Sequence, residues 1–201
     1  MRQQTEITRG FRDAVGSAQS TFRRVMDAMA RPGSIHAVGS ELDAPAPLLS
    51  GTAALALTLF DHDTPVFIDP SLGSVEPIAT WLRFHASCPI VERPAEAAFA
   101  LIASSDTLIA FEQFALGSPD YPDRSATLIV QRQTLTDGPP LKLTGPGIRG
   151  TAELRVAPMP DDFVECHAAN RALFPRGIDL IFVAGDQLTA LPRTAIVAER
   201  G

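Results

Sequence analysis

Gly177-Ile178-Asp179-Leu180-Ile181-Phe182-Val183 is the stretch from which the rest of the chain is read. A short apolar run rich in β-branched and aromatic residues, opened by a glycine, reads as a strand. Upstream, Asp161 or Asp162 is placed to cap a helix running through Leu173. Downstream, Thr194 to Ala198 reads as a further strand. Working back, Ala126–Thr134 is a strand, and Asp137-Gly138-Pro139-Pro140 is a turn. Leu141-Lys142-Leu143 and Thr151–Val156 alternate as an antiparallel hairpin or meander does, with Ala152, Leu154 and Val156 on one face. Pro65–Asp69, Pro89–Val91 and Phe99–Ile102 read as short strands, and Ser74–Ala86 as a helix with Val75, Ile78, Trp81, Leu82 and His85 on one side. Leu48–Phe60 is apolar nearly all round, as a buried helix is.

Near the start, Phe22, Val25, Met26 and Met29 fall at helical spacing. Ser17 or Ser20 is placed to cap that helix, and Arg31-Pro32-Gly33 stops it. Strands separated by helices and loops predict an α/β fold in one domain over residues 1–201.

Composition narrows the functions. At 201 residues, 45% hydrophobic and 20% charged, the chain has the make-up of an ordinary globular protein. Lys+Arg 17 against Asp+Glu 23 leaves a net charge of −6, which argues against broad attraction to nucleic acid or an anionic membrane. The N-terminus has no apolar signal-peptide core, and the apolar run Ala53–Phe60 is too short to span a bilayer, so a cytoplasmic protein is expected. Cys88 and Cys166 form neither a disulfide framework nor a zinc pattern.

Most catalytic templates are missing: there is no GxGxxG, GxxxxGK[ST] or GxSxG. Gly145-Pro146-Gly147-Ile148-Arg149-Gly150 is either a weak phosphate cradle or a structural turn, and Pro146, which removes an amide donor, favours the turn. Asp61-His62-Asp63 is either a hard-cation cluster or a polar turn closing a helix. His85 reads as a core histidine, Cys88 as a small buried hydrophobe, and the adjacent Cys166 and His167 as a poor dyad because helical neighbours point apart. With sixteen arginines and a single lysine, Schiff-base chemistry has one candidate amine, Lys142, with Asp179 as its conceivable acid. The alternation around Lys142 instead fits a half-exposed strand.

The strongest chemical signal is five arginines beside proline or glycine: Arg31, Arg124, Arg149, Arg176 and Arg193. A planar guanidinium on a stiff loop loses little entropy when it pairs with a carboxylate or phosphate, and arginine is also enriched at protein interfaces.

The loops that hold these arginines carry a family likeness. TFRRVMDAMARPG (Thr21–Gly33), GSPDYPDRSATLIVQ (Gly117–Gln131), LTGPGIRG (Leu143–Gly150), NRALFPRGIDLIFV (Asn170–Val183) and ALPRT (Ala190–Thr194) resemble, in order, the H subunit of the carbon–phosphorus lyase system, the PhnH family. The resemblance implies a three-layer fold with a mixed, mostly parallel central sheet flanked by helices. It is similar to the large domain of pyridoxal-phosphate-dependent transferases, but without the cofactor. It further implies a homodimer when isolated, a core complex with the G, I and J subunits, and a functional link to the L subunit. The task implied is support for transferring the ribose triphosphate of ATP to an alkylphosphonate with loss of adenine, in organic phosphonate catabolism. No isolated activity goes with it, and neither a cofactor nor a metal is expected.

The family pattern includes Arg31, Tyr121, Arg124, Asn170, Arg176, Asp179 and Arg193 without saying which of them touch a ligand; together with Arg149 of the loop arginines they are the ligand or interface candidates. Cys166-His167 departs from the pattern, which has an aromatic such as tryptophan there. The alternative is an independent enzyme or phosphorylated-ligand-binding protein on a degenerate transferase fold.

Overall fold

A computed structural model describes residues 7–39, 42–73, 75–103 and 110–199. Its frame is a seven-stranded sheet. The strands are β1 (His36–Ala37), β2 (Val66–Ile68), β3 (Ile90–Val91), β4 (Phe99–Ile102), β5 (Thr127–Gln131), β8 (Asp179–Ala184) and β9 (Gln187–Leu191), in the order β1-β9-β8-β5-β4-β2-β3. β3, β2, β4, β5 and β8 run parallel, whereas β9 is antiparallel to β8 and to β1. A smaller antiparallel sheet orders β10 (Ile196–Glu199), β6 (Leu141–Thr144) and β7 (Ala152–Leu154).

Side-chain alternation explains the layers. In β5, Ile129 faces one core while Leu128 and Val130 face the other; in β8, Ile181 and Val183 oppose Leu180 and Phe182 in the same way. Both faces are buried, which is why these strands read as continuous apolar runs. The first face packs against α1 (Ala14–Ala30), α2 (Ser50–Leu59) and α3 (Val75–Ala86). The second packs against Leu143 of β6, Leu154 of β7, Val197 of β10 and Phe163 of α4 (Phe163–Ala172). The expected layer of helices on this second side is therefore mostly a small sheet with one helix.

Several local expectations are corrected. α1 begins earlier than expected, with Asp13 accepting from the Gly16 N–H at 3.0 Å, so neither Ser17 nor Ser20 caps it. Its buried stripe is Thr21, Val25 and Ala28, and Phe22 and Met26 are exposed. Small side chains let α1 lie close against α2 and β9, and the bulky pair turns outward. For α3, the expected first residue, Ser74, lies outside the described residues. β9 was not expected, because Gln187-Leu188-Thr189-Ala190-Leu191 carries little β signal. It forms by pairing with β8 across the two-residue turn Gly185-Asp186, where Gly185 takes φ +58°.

Two polar ties fix the ends of helices. Gln131, buried at the end of β5, accepts from the Leu49 N–H at 2.7 Å and donates to the Pro47 carbonyl at 3.1 Å, holding the entry to α2. Trp81 and His85 donate to the Thr8 carbonyl at 3.2 and 2.9 Å, pinning the N-terminal segment on α3. His85 is thus satisfied, as expected, but half-buried where a core position was expected. Asp61-His62-Asp63 is the polar turn: the Asp61 carboxylate accepts from the Asp63 N–H and the Thr64 hydroxyl. No metal-holding group of His, Cys, Asp and Glu occurs among the described residues. Among them, too, no helix is long and apolar enough to cross a membrane.

Candidate functional site

The β8–β9 hairpin begins at Asp179 and closes at Leu191, so its pairing brings Asp179 opposite the Pro192-Arg193 turn. The Arg193 backbone N–H donates to Asp179 Oδ1 at 2.8 Å, and its Nε donates to the same oxygen at 3.1 Å. Nη2 lies 2.5 Å from Oδ2, completing a two-pronged ion pair whose side chains are only 12% and 16% exposed. The remaining donors reach further loops. Nη1 donates to the carbonyls of Pro122 and Pro175, both at 3.3 Å, and Nη2 to the Ser125 hydroxyl. One guanidinium therefore ties the 122–125, 174–176 and 192–194 loops to the head of β8.

Each loop has its own lock. Buried Asn170 donates from Nδ2 to the Ile178 carbonyl and accepts from the Ile178 N–H, both at 2.9 Å, so α4 carries the Phe174-Pro175-Arg176-Gly177 corner. A Cβ at Gly177 would stand 2.8 Å from Asn170 Oδ1, and only glycine leaves that approach open. In the 118–125 loop the Tyr121 N–H donates to Ser118 Oγ at 3.0 Å. The exposed Arg124 guanidinium stacks 4.2 Å from the Tyr121 ring centre. Gly147, at φ +78°, meets the end of α1, and a Cβ there would lie 2.0 Å from the Ala30 carbonyl oxygen. The Gly145–Gly150 segment is thus a hairpin turn between β6 and β7, packed on a helix end.

These contacts draw the five motif segments around one open cleft of about 530 Å³. Met29 and Ala30 come from α1, and Pro122, Asp123, Pro146, Gly147, Phe174, Pro175, Pro192 and Thr194 from the loops, with Asp179 and Arg193 at its base. The loops converge, but the arginine tips do not all follow. Arg193 lines the cleft and spends its donors inside the protein. Arg31 pairs with Asp27 on its own helix at 2.6 Å. Arg124, Arg149 and Arg176 form no ion pair among the described residues. Asn170 sits behind the cleft as a loop anchor, and Tyr121 is the exposed platform under Arg124.

The contact that joins Asp179 to Arg193 was not legible in the sequence, because the β9 strand that brings Arg193 back to the head of β8 was not expected. Ser125 gave no sequence signal. His167 faces inward from α4 and is 1% exposed; burial drives its pKa down to about 4, against a raising interaction with the Pro192 carbonyl. Its Nε2 has no hydrogen-bond partner. Cys166 does not pair with it, and burial raises that thiol's pKa, as it does for Cys88. Lys142 is exposed on β6, opposite Glu153 of β7.

The description "bacterial phosphonate metabolism protein (PhnH)" belongs to a family model that matches residues 9–198. The chain is 44% identical over 195 residues to the alpha-D-ribose 1-methylphosphonate 5-triphosphate synthase subunit PhnH of Rhizobium meliloti (strain 1021), covering 96% of this chain and 97% of the relative. It is 29% identical over 185 residues to HtxG, a candidate C-P lyase subunit protein of Stutzerimonas stutzeri, covering 91% and 87%.

Proposed function

The chain belongs to the PhnH family of bacterial phosphonate metabolism proteins, and from that premise we propose that it is an accessory subunit of the carbon–phosphorus lyase core complex. In this reading it assembles with the G, I and J subunits and works with the L subunit. It supports transfer of the ribose triphosphate of ATP to an alkylphosphonate with release of adenine, and it is a homodimer when isolated. The observation that carries the reading is the 44% identity, over nearly the whole of both chains, to a relative named as a synthase subunit.

An accessory role is supported by how the candidate acids and bases are spent. Asp179 is held by Arg193 in a two-pronged, largely buried ion pair, so both of its oxygens are engaged. His167 is buried and uncharged. Lys142 stands on an exposed strand face with Glu153 opposite, lacking the desolvated setting that activates an amine. The alternative, a phosphorylated-ligand site on a degenerate transferase fold, would need Lys142 and Asp179 to act together. Their placements do not favour it, and fold-level likeness carries no activity by itself.

Co-purification is the test. The full chain, mixed with the G, I and J subunits, should elute in one complex with them. A chain that stays outside while those three assemble refutes the reading. Adding pyridoxal phosphate to the isolated chain checks the alternative: a Lys142-dependent absorbance band would favour it.

A further inference from the structure

The cleft among the motif loops is walled mainly by apolar side chains: Met29, Pro122, Pro146, Phe174, Pro175 and Pro192. Its large exposed aromatic is Phe174, 63% accessible. A free aromatic on a flexible loop would cost entropy to dock. Phe174 instead sits on a corner already tied by Asn170, by the Gly177 N–H donating to the Leu116 carbonyl at 2.9 Å, and by Arg193 on the Pro175 carbonyl. Rigid, exposed aromatics of this kind are the anchors of protein interfaces.

The rim has the opposite character. Arg124 adjoins Asp123, Arg176 follows Pro175 and Arg149 lies two residues past Gly147, so three arginines stand within two residues of lining positions along the chain, and none forms an ion pair among the described residues. The cleft's own acids are Asp179, held by Arg193, and Asp123. A small anion finds no spare donor at the base, because the Arg193 guanidinium is engaged with Asp179, Ser125 and two carbonyls. An apolar side chain flanked by carboxylates finds both an apolar wall and basic neighbours.

We infer that this cleft is the seat for an apolar segment with acidic flanks, contributed by another subunit of the complex, with Phe174 as the anchor and Arg124, Arg149 and Arg176 as the rim that orients it. This rests on the reading that the chain is a complex subunit, and it names the surface and the partner's chemistry. Apolar contact with the walls supplies affinity, and the guanidinium forks fix orientation and speed encounter.

The test uses the full chain with the G, I and J subunits. Phe174→Ala and Arg176→Glu should each weaken assembly at least about tenfold, the loss seen when an interface anchor is truncated, and neither should change the melting temperature. Phe84→Ala, on the exposed face of α3 and equally accessible at 66%, is the control and should assemble as wild type does. Both cleft variants joining at wild-type affinity would overturn the inference while leaving complex membership intact. So would isolated dimers falling to monomers with heteromeric assembly unchanged, which would make a second copy the occupant. Loss of ATP binding with assembly retained would overturn it in favour of a small anion. A wild-type chain that never joins would bring down the membership reading and this inference together.

Discussion

Removing the carboxylate of Asp179 should cost the protein its best-tied junction. In Asp179→Asn the Arg193 guanidinium keeps its charge but loses the two-pronged partner, while its side chain remains only 12% exposed. Solvent therefore screens little of the loss. Breaking a buried pair from one side costs about 3–5 kcal/mol, because an uncompensated charge stays behind. For a chain of this size each kcal/mol moves the midpoint by about 2–4 °C, so the melting temperature should fall by at least about 6 °C. Arg193→Met keeps the aliphatic stem and strands Asp179 instead, and should cost a similar amount. The double variant should cost clearly less than the sum, since it leaves no buried charge. Thermal and urea unfolding of the four proteins measure this. The reasoning is refuted if Asp179→Asn melts within about 1 kcal/mol of wild type, or if the two losses simply add.

Three further outcomes follow from the same geometry. His167 has its folded pKa depressed to about 4 from 6.5, so below pH 6.5 the unfolded chain binds the extra proton. Its contribution is complete above pH 6.5 and is lost as pH falls toward 4. Urea melts should thus show about 2 kcal/mol less stability at pH 5 than at 6.5, a slope that His167→Phe removes; an unchanged slope in that variant contradicts the assignment. Gly147→Ala puts a Cβ against the Ala30 carbonyl at positive φ. It should destabilise the chain by more than about 1 kcal/mol, measurable by thermal melting. Asn170→Ala leaves the buried Ile178 N–H and carbonyl unpaired. Denaturant unfolding should show a loss of about 2 kcal/mol or more, and hydrogen exchange should speed up around Gly177.

Much of the architecture was legible because it is written locally. The runs at Phe99–Ile102, Thr127–Gln131 and Asp179–Ala184 are apolar on both faces, and such a strand has to lie inside. The stop at Arg31-Pro32-Gly33 and the Leu141–Leu154 hairpin were visible for the same reason. The facing of α1 was not. Hydropathy favours Phe22 and Met26 as buried residues, yet close helix packing selected Thr21 and Ala28. Nor was β9 visible, since its five residues become a strand only when β8 offers hydrogen bonds.

The candidate site divides in the same way. The proline- and glycine-bounded corners announce themselves one at a time, and so do the arginines beside them. Whether Arg31, Arg124, Arg149, Arg176 and Arg193 share a task depends on pairings between segments far apart in the chain. Only packing could assign Arg193 to Asp179, Ser125, Pro122 and Pro175 and leave Arg124 on the Tyr121 ring. By itself the sequence determined most of the elements, though not β9, and the corners and the family. Tertiary structure decided that the corners meet around one cleft and which guanidinium lies at its base, because a charge 14 residues away along the chain becomes a neighbour only once the β8–β9 hairpin has closed.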